Sequence, residues 1–556
     1  MKSRAEALQD ARTQSFDVCI IGGGATGSGC ALDAQLRGLK TLQLEAGDFA
    51  SGTSSASTKM AHGGVRYLEE AVRHLDPAEY TVVNRALHER IHMLQNAPFL
   101  AHAREFITPC YRWLDVAYYE TGLKLYDWLA GSAGLAPSHF VSREDVLRRL
   151  PHLNPRGLIG AVAYTDGQFD DARYNLALVQ SFAAAGGVAL NYARVTAFEK
   201  AADGRVAAAA VRDGLSGNAL TVRARAFVNA TGPHADAIRS MANPSAQPRM
   251  RPSKGVHVLL PADVLAGADA MLIPKTEDGR VLFAIPWNGR LLVGTTEQEV
   301  EADEELFLKG DEVEYLLRHL NRFLAEPVRA SQIVGGFAGA RPLLSAGNSA
   351  DTKKLARDHE VEVDAQSGLV SIMGGKWTTY RAMAEDAIDA VQKLVGGNPT
   401  PCPTLNHSLL GSDAYSADYW KQLVREFEVS EPAAHHLAQK YGTLAPEVLK
   451  LSSSDAALLE PLAAGLAPLR AEVVFSARHE MAMTIEDVLA RRVGLQFYGW
   501  NEAIAAAPAT AGLLARELGW TQIDRERALG EYVDKIRDLQ RRAGLGPGQE
   551  PTQRNP

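Results

Sequence analysis

Gly22, Gly24 and Gly27 stand in G-x-G-x-x-G spacing, and Glu45 closes the next apolar run. Together they could hold a dinucleotide. The first glycine permits a tight turn, the second lets a pyrophosphate approach the backbone, and the third lets a helix pack closely on a strand. A helix starting here offers free N–H groups and a partial positive charge to phosphates. Glu45 could accept hydrogen bonds from both ribose hydroxyls, and its charge would repel a 2′-phosphate, which disfavours an NADP-type ligand. The motif alone does not separate NAD from FAD.

These residues need a βαβ unit around them. Residues 16–21 form an apolar run of the kind buried on both faces of a parallel sheet, residues 26–37 read as a helix stopping at Gly38, and residues 39–44 read as a second strand. All three fall where the glycines require them. The small polar stretch 51–59 follows Glu45 directly, so Thr53, Ser54, Ser55 and Lys59 could wrap a cofactor with hydroxyl and backbone donors. Taken alone, such a stretch is more often a plain flexible loop.

The chain has 556 residues, too many for one ordinary core, so two or three domains are expected. Its 46% hydrophobic and 22% charged content fit a soluble globular protein. A net charge of −8 argues against nucleic acid as the main partner. The four cysteines are scattered, without C-x-x-C spacing, so no disulfide framework, zinc site or iron–sulfur cluster is expected. There is no apolar signal region and no run of about twenty apolar residues. Any membrane contact is therefore expected from one side.

The expected fold class is α/β. A discontinuous Rossmann-like domain occupies residues 16–100, 151–250 and 346–398. An aromatic-rich helical segment spans 101–150, and a mixed or antiparallel substrate sheet spans 251–345. After the prolines Pro399, Pro401 and Pro403, a helical cap spans 404–543, with a disordered tail at 544–556. Residues 226–232 read as a strand ending in Ala230-Thr231-Gly232. A strand at 369–372 runs into Gly374-Gly375-Lys376, which opens a helix near Thr378.

Two long motifs then bring in a family. The chain resembles the FAD-dependent (aerobic, respiratory) glycerol-3-phosphate dehydrogenases, of the D-amino-acid-oxidase-like class. The resemblance rests on the stretch from Ile21 to Asp33 closed by Arg37-Gly38, and on Gly374-Gly375-Lys376-Trp377-Thr378-Thr379-Tyr380-Arg381-Ala382-Met383-Ala384. Supporting stretches are His62-Gly63-Gly64-Val65-Arg66-Tyr67-Leu68-Glu69, Lys254-Gly255-Val256-His257, Gly339-Ala340-Arg341-Pro342-Leu343 and Arg357-Asp358-His359. A cap signature lies within residues 472–492. The match covers roughly residues 16–500. Departures are His234 in place of a tryptophan, Glu297 in place of an aspartate, and Phe475 in place of a tyrosine.

The resemblance implies oxidation of the C2 alcohol of sn-glycerol 3-phosphate to dihydroxyacetone phosphate, with hydride passing to flavin N5. Arg66, Tyr67 and Arg357 are the candidates for holding the phosphate, since guanidinium forks suit a dianion. His257, Arg341 and Lys376 are the candidates near the reacting carbon. An imidazole can accept a proton near neutral pH, whereas a guanidinium suits a developing alkoxide better. His257 is favoured as the acceptor, although the sequence does not decide it. Contacts to FAD are expected from Gly22, Gly24, Gly27, Glu45, Thr53, Ser54, Ser55, Lys59, His62, Val195, Ala230, Gly232, Gly375 and Thr378. The acceptor of the family is a membrane quinone, so a peripheral contact with the inner face of the cell membrane is expected. The segment 104–128, with aromatics among basic residues, is its candidate, against the plainer reading of helices packed on the core. Three competing functions stay open: an oxidase using O₂, a flavoprotein acting on an amine or 2-hydroxy acid, and an FAD-binding scaffold or tRNA-modification partner. The oligomeric state is open too, a homodimer included.

Overall fold

The computed structural model describes residues 1–64, 77–345 and 358–546. The first sheet is built on a parallel core. Strand Ser15–Ile21 lies between Ala219–Asn229 and Thr41–Leu44, and Val370–Gly374 and Val188–Leu190 extend the order on either side. The unbroken apolar run at residues 18–21 is buried, as a central parallel strand requires. Strands His359–Val363, Val206–Asp213 and Ala193–Lys200 join antiparallel, giving eight strands among the described residues. Helix Ala25–Leu36 packs on helices Asp171–Ala184 and Tyr380–Leu394. The first domain is thus assembled from three distant stretches of chain.

Among the described residues the second sheet has ten strands and is antiparallel except where Ala270–Ile273 meets Ala101–Cys110. Two expectations are corrected here. Residues 101–150 are not all helical, because Ala101–Cys110 is a strand and only Trp113–Ala130 and Arg143–Arg149 are α-helices. Likewise Gly160–Phe169, expected in the cofactor domain, belongs to this second sheet. The two strands pair over ten residues, Ala101 opposite Phe169 through Cys110 opposite Gly160. A ladder closing over so long a loop leaves no local signature, and Arg104, Glu105 and Pro109 disguise the strand pattern.

Strand Ser253–Pro261 shows how this sheet serves two neighbours. Successive side chains point to opposite faces. Val256, Val258 and Leu260 enter a core shared with the cap, while Gly255, His257 and Leu259 face the other way, Leu259 joining a cluster with Phe106 and Phe337. The cap follows from residue 403, with Glu431–Tyr441, Arg470–His479, Trp500–Leu518 and Gln522–Arg542 as its main helices. Asp487–Arg492 forms one wide π-helical turn between them.

Candidate active site

A cleft of about 770 Å³ opens where the first sheet, the second sheet and the cap meet. Its floor is the turn after strand Ser15–Ile21. Gly22 has φ +121°, and a Cβ there would lie 2.4 Å from the carbonyl oxygen of Ala230. Gly27 does not line the cleft. It sets the close helix–strand packing instead, since a Cβ on it would lie 2.1 Å from the Gly22 carbonyl oxygen. The Ala25 N–H, at the start of the helix, donates to Ser54 Oγ at 2.9 Å. Glu45 is held by two backbone amides, Gly23 N–H donating to Oε2 at 2.6 Å and Gly47 N–H to Oε1 at 2.8 Å. Burial pushes its carboxyl upward, and the two amides oppose that shift.

Of the residues expected at the cofactor, Gly22, Gly24, Glu45, Thr53, Ser54, Ser55, Val195, Ala230, Gly232 and Gly375 line this cleft, and so does Lys376. Thr53 Oγ1 donates to the Ala340 carbonyl at 2.6 Å, tying the loop to the substrate sheet. Thr378 and His62 stand just outside the cleft and bond each other, His62 N–H donating to Thr378 Oγ1 at 3.2 Å. Burial first, then the charges of Lys376 and Arg90, push the His62 imidazole down to about 3. Lys59 turns away. Its buried ammonium donates to Asp171 at 2.5 Å and to the Ser55 carbonyl at 2.6 Å. Arg66, Tyr67 and Arg357 lie outside the described residues.

His257 and Arg341 come together on one face of the substrate sheet. Two bare glycines make the room. A Cβ on Gly294 would lie 2.1 Å from His257 Cδ2, and one on Gly255 would lie 2.7 Å from Arg341 Nη2. Arg341 Nη2 donates to Thr295 Oγ1 at 3.1 Å. His257 Nε2 pairs with Thr58 Oγ1 at 3.0 Å, and its ring stacks on Phe337, which lines the cleft. Burial above all, with Arg341 and Lys59 adding like charge, holds this imidazole well below its ordinary value. A neutral imidazole therefore stands on the same sheet face as a guanidinium, although neither side chain is among those lining the cleft. Gly255, Gly294 and Asp171 were missed as site residues. The first two could have been noticed as glycines inside strands, which often mark a close approach.

The arrangement fits a flavin dinucleotide. Glycines clear the floor, hydroxyls of Thr53 and Ser54 stand beside it, and a carboxylate held by two backbone amides lines it at the end of the second strand. Comparison with known proteins identifies the class. Residues 17–381 match the family model described as FAD dependent oxidoreductase, and residues 402–525 match the C-terminal domain of alpha-glycerophosphate oxidase.

Relatives narrow it further. The chain is 38% identical over 536 residues to the mitochondrial glycerol-3-phosphate dehydrogenase of Rattus norvegicus, covering 94% of this chain and 74% of that protein. The Homo sapiens protein of the same name matches equally, at 38% over the same lengths. Among solved structures, glycerol-3-phosphate dehydrogenase from Bacillus halodurans complexed with FAD superposes with a TM-score of 0.77 at 27% identity, covering 99% of both chains. The chain belongs to the FAD-dependent glycerol-3-phosphate dehydrogenase family, and its cofactor is FAD.

Proposed function

We propose that the protein oxidises sn-glycerol 3-phosphate to dihydroxyacetone phosphate and passes the electrons to a membrane quinone. The observation that carries this reading is 38% identity along nearly the whole chain to proteins named for that substrate, with His257 and Arg341 on one face of the second sheet, beside the cleft-lining Phe337 and Ala340. The bound flavin supplies the two-electron acceptor for the C2 hydride. The protein must orient the alcohol, take its proton and exclude water. His257 accepts the hydroxyl proton, because it is neutral over the working range and its Thr58 partner fixes the ring. Arg341, which stays protonated, stabilises the negative charge growing on the C2 oxygen. Lys376 lines the cleft beside the Gly374–Gly375 turn and contributes positive charge there. Arg66, Tyr67 and Arg357 bind the phosphate.

Access to a quinone requires a membrane contact. Among the described residues no helix is long and apolar enough to cross a bilayer. Helix Trp113–Ala130 instead exposes Trp113 (67%), Leu114 (79%), Tyr118 (48%) and Trp128 (71%). Large apolar side chains left in water in this way suit a one-sided docking face. Anaerobic mixing of the holoenzyme with sn-glycerol 3-phosphate tests the substrate, and a flavin that stays yellow would end the reading. A second reading, an oxidase handing electrons to O₂, is favoured by the family description of residues 402–525. Peroxide yield against reduction of a quinone analogue separates the two.

A further inference from the structure

The cap signature around Asp487–Arg492 has no part in the chemistry above, yet it reaches the cleft. Arg491 lines the cleft and donates through Nε to Asp48 Oδ2 at 2.5 Å and through Nη2 to Asp487 at 2.6 Å. Arg492 is fully buried, also pairs with Asp48, and donates to the Glu480 carbonyl at 2.7 Å. Asp48 lies three residues beyond Glu45, on the loop that holds the ribose acid. Its buried carboxylate therefore fastens the cap to the dinucleotide-binding loop.

Beyond this fastening, the cap supplies a wall of the cleft: Gln496, Phe497 and Trp500, with Lys535 and Leu539 from helix Gln522–Arg542. Two polar atoms of these side chains lack a hydrogen-bond partner among the described residues. They are Gln496 Oε1 and Trp500 Nε1, on side chains that are 7% and 2% exposed. One is an acceptor and the other a donor. A buried polar group without a partner is left without the hydrogen bond it made to water in the unfolded chain. Both side chains border the cleft, and a polar ligand seated there offers the partners that the protein does not. Lys535 bonds Glu486 at 2.7 Å at the solvent end of the same wall.

We propose that the C-terminal cap is the second wall of the FAD site, with Gln496, Trp500 and Lys535 as cofactor-contacting residues that slow flavin release. The glycine turn and Glu45 supply the first wall, and the Asp48–Arg491–Arg492 cluster keeps the two walls together. This role concerns retention of the cofactor and is independent of the substrate.

The test uses the full-length holoenzyme and its Gln496→Met, Trp500→Phe and Lys535→Gln variants. FAD release is followed by recovery of free-flavin fluorescence after dilution, and melting temperatures are measured with and without FAD. The proposal expects release at least fivefold faster in Gln496→Met and Trp500→Phe, with the flavin-free melting temperature nearly unchanged in Gln496→Met and, in Trp500→Phe, lowered by less than that of the flavin-bound protein, since the smaller ring leaves a core cavity in both states. Lys535 is half-exposed, so Lys535→Gln is expected to speed release without altering flavin-free stability. Wild-type release rates in all three variants would overturn the proposal. So would faster release accompanied by an equal loss of flavin-free stability, since the residues would then be only structural.

Discussion

The ammonium of Lys59 lies 2.5 Å from the Asp171 carboxylate, in a box made by the rings of Trp287, Phe337 and Phe497 at 4.9, 4.9 and 5.2 Å. The other Asp171 oxygen accepts from Ser57 N–H at 3.0 Å and Ser57 Oγ at 2.7 Å. One carboxylate thus orders the loop that carries Ser54 and Ser55 to the cleft and Thr58 to His257. Breaking such a pair from one side strands a buried charge, at a cost of about 3–5 kcal/mol. Lys59→Met and Asp171→Asn are each expected to lose that much in urea unfolding. The double variant should lose clearly less than the sum, and strict additivity would show that the two groups act independently.

The glycine turn makes a graded prediction. In Gly27→Ala the new methyl meets a backbone carbonyl at 2.1 Å and nothing soft can yield, so this variant should purify without flavin. In Gly24→Ala the methyl meets only Ser54 Oγ, at 2.8 Å, and that hydroxyl can rotate away, giving up its bond from Ala25 N–H. Losing one hydrogen bond of about 1.4 kcal/mol corresponds to roughly tenfold weaker FAD binding. Flavin content and FAD titration of the apoproteins check both. Equal retention in the two variants would contradict the packing account.

The first crossover was legible because its constraints are local. Glycines at fixed spacing, an apolar run and a terminal acid all lie within thirty residues, and each has a steric reason. The ladder between Ala101–Cys110 and Gly160–Phe169 was not legible, since its partners lie far apart and charged residues interrupt the strand. Arg341 and His257 were legible as chemical types, but the glycines that make room for them could be understood only once the strands were paired. The orientation of Lys59 was hidden for a similar reason. Its carboxylate partner is on a helix more than a hundred residues away, and sequence cannot say which neighbour a flexible ammonium will choose.

Burial, Arg341 and Lys59 together keep the His257 imidazole neutral. A depressed value means that the proton-accepting form persists as pH falls through 6.5 and is lost only well below it. The kcat/KM profile, corrected for substrate phosphate ionisation near pH 6, should therefore show no acid limb from this group around its ordinary value of about 6.5. A limb near 6.5 that vanishes in His257→Gln would refute this. His257→Gln itself should retain FAD and turn over at least about 100-fold more slowly, the usual worth of a positioned base.

Arg341 makes a complementary prediction. Its guanidinium is fixed by Thr295 and reaches into the space left by Gly255. Removing a preorganised donor to a developing oxyanion costs about 100- to 1,000-fold in kcat. Arg341→Ala is expected to bind FAD normally and lose that much in single-turnover flavin reduction. Wild-type rates would remove it from the mechanism.

Helix Trp113–Ala130 has two faces with separable duties. Inward, Tyr126 OH accepts from Gly63 N–H at 2.8 Å and donates to Asp166 at 3.1 Å, while Arg90 holds the other Asp166 oxygen at 2.8 Å. This buried chain fixes the backbone three residues before Arg66, the candidate phosphate ligand. Outward, Trp113, Leu114 and Trp128 stand in solvent. Each is worth about 1.5–3 kcal/mol when fully withdrawn from water, so replacing all three with serine should weaken binding to lipid vesicles by roughly 100-fold or more. Turnover with a soluble dye acceptor should be unchanged in that variant. Tyr126→Phe should do the opposite, leaving vesicle binding intact while raising KM for the phosphorylated substrate, because Gly63 N–H loses its partner. Co-sedimentation with vesicles and dye-coupled kinetics measure the two effects. If the outward serines changed KM, or Tyr126→Phe released the protein from vesicles, the faces would not be independent, and the helix would have to be treated as one coupled element linking membrane to substrate.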